Sequence, residues 1–286
     1  MKLYLLTSAA RLEDGFEVVK FLEAACLERG VECINISIPQ TPLTSLPKLS
    51  EGDAFYRIML GHKSRVAEQM MLGAGVITFY DNWRGGLLSR GSSYFLHEKL
   101  GLPVIPTFPS TPENDVELGQ VAENLGGFPL IVKVRGGSLG VGVMRVDSLP
   151  SFRSVVDYIR SLAAPILIRK YIPHRYYARM VVVGDQVIAS HITHSIDEDF
   201  RTNAGKEDRV REARVFSPEV QAMAVEAVRS LGLETGGVDL LFDENDQPHI
   251  AEVNFPNDFS VTQKITGIDI AGAMVDHLLA KAAQVS

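Results

Sequence analysis

The chain has 286 residues, of which 46% are hydrophobic and 22% charged, a composition typical of a globular protein with room for two or three small domains. Its 28 basic and 35 acidic residues give a formal net charge of −7. This charge argues against nucleic-acid or anionic-membrane binding, because both need a basic surface. No segment approaches the roughly 18 apolar residues that span a bilayer. We therefore predict no nucleic-acid partner and no membrane partner.

The amino-terminal residues and the cysteines predict where the protein resides. The start, MKLYLLTSAARLEDGF, has a short apolar run that charged residues follow at once, whereas a signal peptide has a longer apolar region. Only Cys26 and Cys33 are present, and their spacing fits neither a redox pair nor a zinc site. We interpret them as two reduced, buried thiols and predict a cytoplasmic location.

Strands and helices alternate in the first part of the chain. The predicted strands are Leu3–Leu6, Val31–Ile38, Ala54–Leu60 and Val76–Tyr80, and the predicted helices are Asp14–Arg29 and Ser64–Leu72. This alternation predicts a small parallel α/β sheet.

The pattern then changes to helices mixed with hairpins. The predicted helices are Ser92–Leu100, Pro112–Leu125, Ser148–Leu162, Pro218–Leu231 and Asp269–Ala283. Short turns separate paired apolar runs at 129–146, at 178–192 with its turn at Gly184–Asp185, and at 236–254. Such pairs predict β-hairpins, and ILIRKYI predicts one further strand. The expected architecture is an α/β domain followed by α+β units built on antiparallel sheets.

A glycine-rich loop, RGGSLG, separates the strands PLIVKV and VGVMRV. It contains neither GxxxxGK[ST] nor GxGxxG, and those motifs lead from a strand into a helix. A glycine-rich hairpin can still lay its backbone N–H groups against phosphates. Lys133, on the strand that enters the loop, could place its ammonium on the same phosphates. The alternative is a surface hairpin with a solvated lysine.

Asp239, Glu252 and Asn254 lie on two strands that are predicted to pair. Glu252 and Asn254 point to the same face because strand side chains alternate, and Asp239 can lie opposite them. Three oxygen-bearing side chains among apolar neighbours are costly to bury unless a cation compensates. Mg²⁺ suits such ligands. The alternative is a sheet face that is open to solvent.

Other polar residues interrupt the apolar strands. Arg201 and Asn203, in DEDFRTNAGKEDR, could neutralise a γ-phosphate and help to hold a metal, or could belong to a solvated loop. Arg179 begins an apolar strand, and it could bind a carboxylate with two N–H groups or form a salt bridge at the rim. His191 and His194 lack an acidic third partner, so we assign them no metal role. No Ser-His-Asp or Cys-His arrangement is visible.

These features together resemble the ATP-grasp superfamily, and within it the RimK-type amino-acid ligases. The matching stretches, in order, are PLIVKVRGGSLGVGV, APILIRKYI, ARMVVVGDQVIA, DFRTNAG, LGLETGGVDLL, AEVN and TGIDIAGAM. The resemblance implies an ATP-grasp fold in which an amino-terminal α/β domain (1–86) precedes two α+β subdomains that clasp ATP. These are a small subdomain with the glycine loop (87–168) and a carboxyl-terminal subdomain with the metal site (169–286).

The resemblance also implies a role for each matching residue. Lys133 would contact the α- and β-phosphates, and the loop would close over the triphosphate with Gly136, Gly137, Ser138, Leu139, Gly140 and Gly142. The backbone of Lys170, Tyr171 and Ile172 would bind adenine. The remaining residues would lie near the transferred phosphate and the metals: Arg179, Arg201 and Asn203 near the γ-phosphate and the acyl phosphate, and Asp239, Glu252 and Asn254 around two Mg²⁺ ions, with Mn²⁺ as an alternative.

Three positions depart from the family pattern. Arg90 stands where a lysine is usual and could replace it in the phosphate site. Lys170 stands where the hinge usually has a glutamate, which is tolerable if backbone atoms contact the base. After Asn254 the family continues with small residues and a glycine, but this chain reads Phe255-Pro256-Asn257-Asp258-Phe259. That segment should border the acceptor pocket, so its divergence bears on substrate identity.

The implied activity is ATP-dependent carboxylate–amine ligation through an acyl phosphate, on a free amino acid, a peptide, a protein carboxyl terminus or a coenzyme tail. The substrates would be small-molecule or peptide carboxylates and amines. A carrier or target protein could be a further partner, and the assembly could be a homodimer or a homotetramer. Two other functions stay open: a kinase-like phosphotransferase, which would yield a stable phosphorylated product, and a non-catalytic nucleotide-binding module.

Overall fold

A computed structural model describes residues 1–7, 17–82, 85, 93–134, 140–195 and 209–284. In these ranges the chain forms a three-stranded, a four-stranded and a five-stranded β-sheet, with helices packed against each. None of the helices in the same ranges is both long enough and apolar enough to cross a membrane.

The three-stranded sheet is parallel, as the alternating pattern predicts, with the order β2-β1-β3. Its elements are β1 (Lys2–Thr7), α1 (Glu17–Glu28), β2 (Glu32–Ser37), β3 (Ala54–Arg57) and α2 (His62–Met71). Helix α1 buries Val18, Leu22 and Cys26, which the helical repeat places on one face. That face packs on one side of the sheet, and α2 packs on the other.

The prediction of a strand at Val76–Tyr80 is wrong. Ile77 makes a single bridge to Ala54, and Tyr80 makes a separate bridge to Leu233. The chain therefore leaves the first sheet within three residues and crosses to the carboxyl-terminal half of the molecule. An apolar run does not reveal this crossing, because buried extended segments and strands share the same composition.

The four-stranded sheet is antiparallel, with the order β4-β7-β5-β6. The elements around it are α3 (Ser93–Lys99), β4 (Thr107–Phe108), α4 (Asp115–Asn124), β5 (Leu130–Val134), β6 (Val143–Val146), α5 (Leu149–Ser161) and β7 (Ile166–Lys170). Ser148 caps α5 reciprocally with Ser151, which fixes where that helix begins. Helices α4 and α5 share one apolar core with the sheet. Strand β7 continues past the predicted boundary at residue 168.

The five-stranded sheet is also antiparallel, with the order β10-β9-β8-β11-β12. Its elements are β8 (Tyr176–Val183), β9 (Gln186–His194), β10 (Arg211–Ala213), α6 (Pro218–Arg229), β11 (Thr235–Phe242), β12 (Pro248–Asn254), α7 (Ser260–Thr266) and α8 (Ile270–Ala282). The hairpin turns at Gly184, whose φ of +64° suits glycine. Strand β10 and helix α7 were not predicted from the sequence.

The three-stranded and five-stranded sheets share one core. It combines Leu5 and Tyr56 of the first sheet with Val181 of β8 and Met274 of α8. At the edge of this core, Lys281 Nζ donates to the backbone carbonyls of Thr78 and Tyr80 and to the carboxylate of Glu234. The first sheet is thereby fixed to the half of the molecule that carries most of the predicted site.

The two cysteines are adjacent in space although their sequence spacing did not suggest it. Cys26 is buried on α1, and Cys33 on β2 is only partly buried, which corrects the expectation of two buried thiols. Both thiols are free, and the interaction with the Cys26 thiol together with burial raises the pKa of Cys33.

Candidate active site

Four polar side chains form a row across the five-stranded sheet. His191 on β9 pairs with Arg179 on β8, Arg179 pairs with Asp239 on β11, and Asp239 pairs with Glu252 on β12. Directly paired residues of antiparallel strands project to the same face. One face of this sheet therefore carries an arginine between a histidine and two carboxylates.

Asn254 contacts the first of the two carboxylates, that of Asp239. Its Nδ2 donates to Asp239 Oδ2 at 3.0 Å and to the carbonyl of Gly237 at 3.4 Å. The Asp239 side chain is 12% exposed and that of Glu252 is 48% exposed. The register thus brings together the three residues that the sequence predicted as metal ligands, with one carboxylate shielded and the other open to solvent.

Arg179 binds its carboxylate partner with two N–H groups. Nε donates to Asp239 Oδ1 at 2.5 Å and Nη2 donates to Asp239 Oδ2 at 3.0 Å. Its Nη1 lies 3.3 Å from Asn257 Oδ1 and 3.4 Å from the carbonyl of Asp258. Burial alone would lower the pKa of Arg179, but the charge and hydrogen bonds of Asp239 outweigh burial and raise it. Of the two alternatives that the sequence left open for Arg179, the contact through two N–H groups is present, and its partner is a carboxylate of the chain itself.

Asn257 supports this arginine from the segment that departs from the family pattern. The residue is 1% exposed, and its backbone N–H donates to Tyr56 Oη at 3.1 Å. Its side chain lies over Gly237, where an added Cβ would be 2.9 Å from Asn257 Cγ. Sequence reasoning associated this segment with the acceptor side but missed the contact of Asn257 with Arg179. The two adjacent glycines of GGVDLL are the signal that could have indicated a close approach.

Lys133 reaches the same cluster from the other antiparallel sheet. Its Nζ lies 3.8 Å from Glu252 Oε2. Arg169 of β7 also crosses between the sheets, and its Nη1 donates to the carbonyl of Ala251 at 2.8 Å. Near these polar contacts lies an apolar cluster of Ile105, Ile172 and Leu241. The four-stranded and five-stranded sheets thus meet along a junction, called the cleft below, that has a charged part and an apolar part.

The predicted hinge begins at Lys170, the last residue of β7, at the edge of this cleft. Lys170 donates its backbone N–H to the carbonyl of Pro106 at 3.0 Å, and Tyr171 donates to that of Pro129 at 3.3 Å. The guanidinium of Arg145 lies 4.5 Å from the centre of the Tyr171 ring. Ile172 is buried in the apolar cluster described above.

Several predicted site residues lie outside the described ranges. They are Arg90, Gly136, Gly137, Ser138, Leu139, Arg201 and Asn203. Gly140 and Gly142, which close the glycine loop, have φ values of +78° and +77°. The hairpin that carries this loop is present, since Lys133 pairs with Val143.

The described residues offer oxygen donors rather than a histidine or cysteine cluster. Within the described ranges, no group of three His, Cys, Asp or Glu side chains is placed to hold a metal ion. Two carboxylates and one amide oxygen remain, and hard cations such as Mg²⁺ accept this mixed set when substrate oxygens and water complete it. The donor chemistry therefore fits the predicted ion.

His191 completes the row as a neutral side chain. It is 5% exposed, and its Nδ1 lies 3.1 Å from Thr262 Oγ1 of α7. Burial and the positive charges of Arg179 and Arg211 lower its pKa to about 4.

Solved structures share this architecture over nearly the whole chain. The ATP-grasp ligase PsnB complexed with minimal precursor superposes with a TM-score of 0.74 at 19% identity and covers 98% of this chain and 99% of its own. The macrocyclase MdnC bound with precursor peptide MdnA, from Microcystis aeruginosa MRC, gives 0.72 at 13% identity, covering 98% of this chain and 100% of its own. The D-alanine–D-alanine ligase of Bacillus anthracis gives 0.69 at 15% identity and covers 100% and 98%. The predicted ATP-grasp fold is confirmed.

Curated proteins are similar over a shorter region. A probable alpha-L-glutamate ligase of Picosynechococcus is 33% identical over 189 residues, 64% of this chain and 60% of that protein. A ribosomal protein bS6–L-glutamate ligase of Escherichia coli is 35% identical over 161 residues, 56% of this chain and 53% of that protein. The matched region thus spans little more than half the length of these relatives.

The family model for the RimK-like ATP-grasp domain matches residues 101–278. This range contains Lys133, Arg179, Asp239 and Glu252, and it covers both antiparallel sheets. The chain belongs to the RimK-like ATP-grasp family.

Proposed function

We propose that the protein is an ATP-dependent carboxylate–amine ligase that acts through an acyl phosphate. The observation that carries this proposal is the 3.8 Å approach of Lys133 Nζ to Glu252 Oε2 across the cleft. A cation from one sheet and a carboxylate from the other meet there beside Asp239 and Asn254. A polyphosphate with a divalent cation matches such an alternation of charge, since the lysine attracts phosphate oxygens and the carboxylates attract the metal.

The nucleotide would lie with its base in the apolar part of the cleft. Ile172 supports this orientation, because its N–H has no hydrogen-bond acceptor in the described part of the chain, whereas the N–H groups of Lys170 and Tyr171 are already used. Lys133 would contact the α- and β-phosphates. The glycine loop, Gly136–Gly142, and Arg90 would cover the phosphates from the side.

Asp239, Glu252 and Asn254 would hold two Mg²⁺ ions, with Mn²⁺ as an alternative. When bound, the ions would neutralise phosphate charge and orient the triphosphate for in-line transfer. Arg179 contacts Asp239 directly, so this arginine would lie next to the transferred phosphate. Arg201 and Asn203, in the part of the sequence that precedes β10, would contact the same phosphate.

The chemistry would proceed in two transfers. A carboxylate oxygen of the first substrate attacks the γ-phosphorus, the bond to the β–γ bridging oxygen breaks, and ADP leaves. The amine nitrogen then attacks the acyl carbon, the bond from that carbon to the phosphate oxygen breaks, and inorganic phosphate leaves as the nitrogen loses a proton. No protein nucleophile takes part. The residues act by positioning the reactants and by stabilising charge, with Arg179 and Arg201 as the catalytic pair.

The substrates would be an amino acid and a peptide or protein tail. Two similar proteins are glutamate ligases by name, and two structural neighbours are complexed with precursor peptides. Both facts support glutamate as a candidate amine and a peptide carboxylate as a candidate acceptor. Alternatively, the acceptor would be a small molecule or a coenzyme, and a carrier protein would be a further partner. We also propose a dimer or tetramer as the assembly and the cytoplasm as the location.

The test is amine-dependent ADP release with mass spectrometry of the product. We expect Lys133→Ala to lower kcat/KM for ATP at least 100-fold, because a charge-assisted phosphate contact is lost at the reacting centre. Lys20→Ala, an exposed lysine on α1, is the matched control and should be unchanged.

Three outcomes would contradict the proposal. Unchanged turnover in Lys133→Ala would remove the assigned phosphate site. A stable phosphorylated product without an amide would favour the phosphotransferase, and nucleotide binding without ADP release across amino-acid and peptide pairs would favour the binding module.

A further inference from the structure

Arg169 makes a hydrogen bond that links the two antiparallel sheets across the cleft. The residue lies on β7 of the four-stranded sheet, and its Nη1 donates to the carbonyl of Ala251 on β12 of the five-stranded sheet at 2.8 Å. Its neighbour on the same face is Lys133, which pairs with Leu167, two residues before Arg169. Two cations of one sheet therefore face the same short segment of β12.

The acceptor of this hydrogen bond is the extra residue of a β-bulge. Asp239 pairs with Glu252, but the next residue, Leu240, pairs with Ile250. Ala251 thus has no partner on β11, and the register changes at this point.

The bulge determines which way Glu252 points. Residues two apart on a regular strand share a face, so Ile250 and Glu252 would do so. Here Ile250 is paired with Leu240 and is buried, while Glu252 is paired with Asp239 and reaches the cleft. A bulge re-aims side chains in this manner, and Arg169 binds the carbonyl of Ala251, the residue that the bulge leaves without a paired residue on β11.

The guanidinium of Arg169 is itself held in a desolvated position. Its Nε is inaccessible to solvent and has no hydrogen-bond partner among the described residues. A buried cation with an incomplete set of partners is costly, and the negative charge of Glu252 compensates part of this cost. Arg169 and Glu252 are therefore coupled both through the Ala251 backbone and through their charges.

We propose that Arg169 is a positioning residue that holds the Ala251 bulge and thereby aims Glu252 at the divalent cation. The same hydrogen bond fixes the four-stranded sheet to the five-stranded sheet. This inference rests on the proposed function, because it takes Glu252 to be a metal ligand.

The test measures how ADP binding depends on Mg²⁺. Arg169→Met keeps the apolar stem and removes every donor. We expect it to raise the Mg²⁺ concentration for half-maximal ADP binding about 10- to 100-fold, the range typical of lost partners of metal ligands. ADP binding without Mg²⁺ should change less than about twofold, since Arg169 acts through the metal ligand in this scheme. Arg169→Lys keeps a cationic donor and should shift the Mg²⁺ requirement only about threefold.

Arg153→Met is the matched control, because Arg153 is an exposed residue of α5 paired with Asp115. It should leave the Mg²⁺ dependence unchanged. The proposal is overturned if Arg169→Met has the Mg²⁺ dependence of the parent protein, or if it weakens ADP binding equally with and without Mg²⁺. If Arg169→Met does not fold, Arg169→Lys decides, and an unchanged Mg²⁺ requirement in that variant overturns the proposal.

Failure of the proposed function gives a different result. In that case the unaltered protein binds no ADP at any Mg²⁺ concentration, and the role of Arg169 is overturned together with it.

Discussion

At the scale of single residues, the row across the five-stranded sheet keeps charges of opposite sign in contact. Arg179 and Asp239 neutralise each other through two hydrogen bonds, and Glu252 faces Lys133. His191, at the other end of the row, adds no charge near neutral pH because its pKa is about 4. The net charge of the row near neutral pH therefore depends on His191 remaining unprotonated.

The lowered pKa of His191 predicts a dependence of stability on pH. An unfolded histidine gains its proton near pH 6.5, whereas the folded one gains it near pH 4. The unfolded state therefore binds more protons between these values, so stability is present above pH 6.5 and declines as the pH falls. We expect His191 to contribute a loss of about 2 kcal/mol between pH 7 and pH 5.

Urea denaturation of the parent protein and of His191→Gln at both pH values measures this contribution. The variant should lose correspondingly less stability between pH 7 and pH 5. An equal loss in the two proteins would show that His191 titrates normally in the folded state.

At the scale of elements, β11 packs closely against the segment that contains Asn257 because Gly237 on this strand has no side chain. Gly237 lies beneath the Asn257 amide, and an added Cβ would come within 3.0 Å of Arg179 Nη1. The backbone here is extended, so glycine serves the close approach rather than an unusual dihedral angle.

Gly237→Ala should therefore displace Asn257 and Arg179. We expect a loss of about 1–3 kcal/mol in the free energy of unfolding, because the added methyl group overpacks a buried contact. Gly119→Ala on α4 is the control, since a Cβ there meets nothing within 4 Å. That change should be neutral or stabilise the helix by up to about 1 kcal/mol. Equal urea midpoints for the two variants would contradict the assigned close approach.

The elements that the sequence predicted correctly are those whose signals are local. The hairpins β8–β9 and β11–β12 each join two apolar runs through a short turn, the apolar runs of β5 and β6 flank a glycine-rich stretch of sequence, and alternation along β12 gave the shared face of Glu252 and Asn254. Strand β10 has only three residues, too few for an alternating apolar and polar pattern to be recognised. The hydrogen bond from Arg169 to Ala251 joins residues 82 positions apart, so no local pattern encodes it.

At the scale of the whole molecule, the first sheet takes part in supporting the site. Tyr56 on β3 accepts the N–H of Asn257, and Asn257 in turn contacts Arg179. The sequence predicted the first sheet itself, but not this contact, because the two residues are 201 positions apart.

Tyr56→Phe tests this support. Removing the hydroxyl leaves a buried N–H without its acceptor, so we expect a loss of about 1–3 kcal/mol in the free energy of unfolding. Tyr158→Phe, at a side chain that is 65% exposed, should cost less than about 0.5 kcal/mol. Coincident denaturation curves for Tyr56→Phe and the parent protein would mean that the hydroxyl contributes nothing.

The contacts of Lys281 have a consequence for how the chain folds during synthesis. Helix α8 supplies Ile270, Met274 and Leu278 to the core that covers the first sheet, and Lys281 binds the segment that leaves that sheet. Strand β1 emerges from the ribosome more than two hundred residues before these partners exist. Helix α1 packs against this side of the sheet early, but the part of the core that α8 completes stays open to chaperones and to aggregation until α8 has been translated.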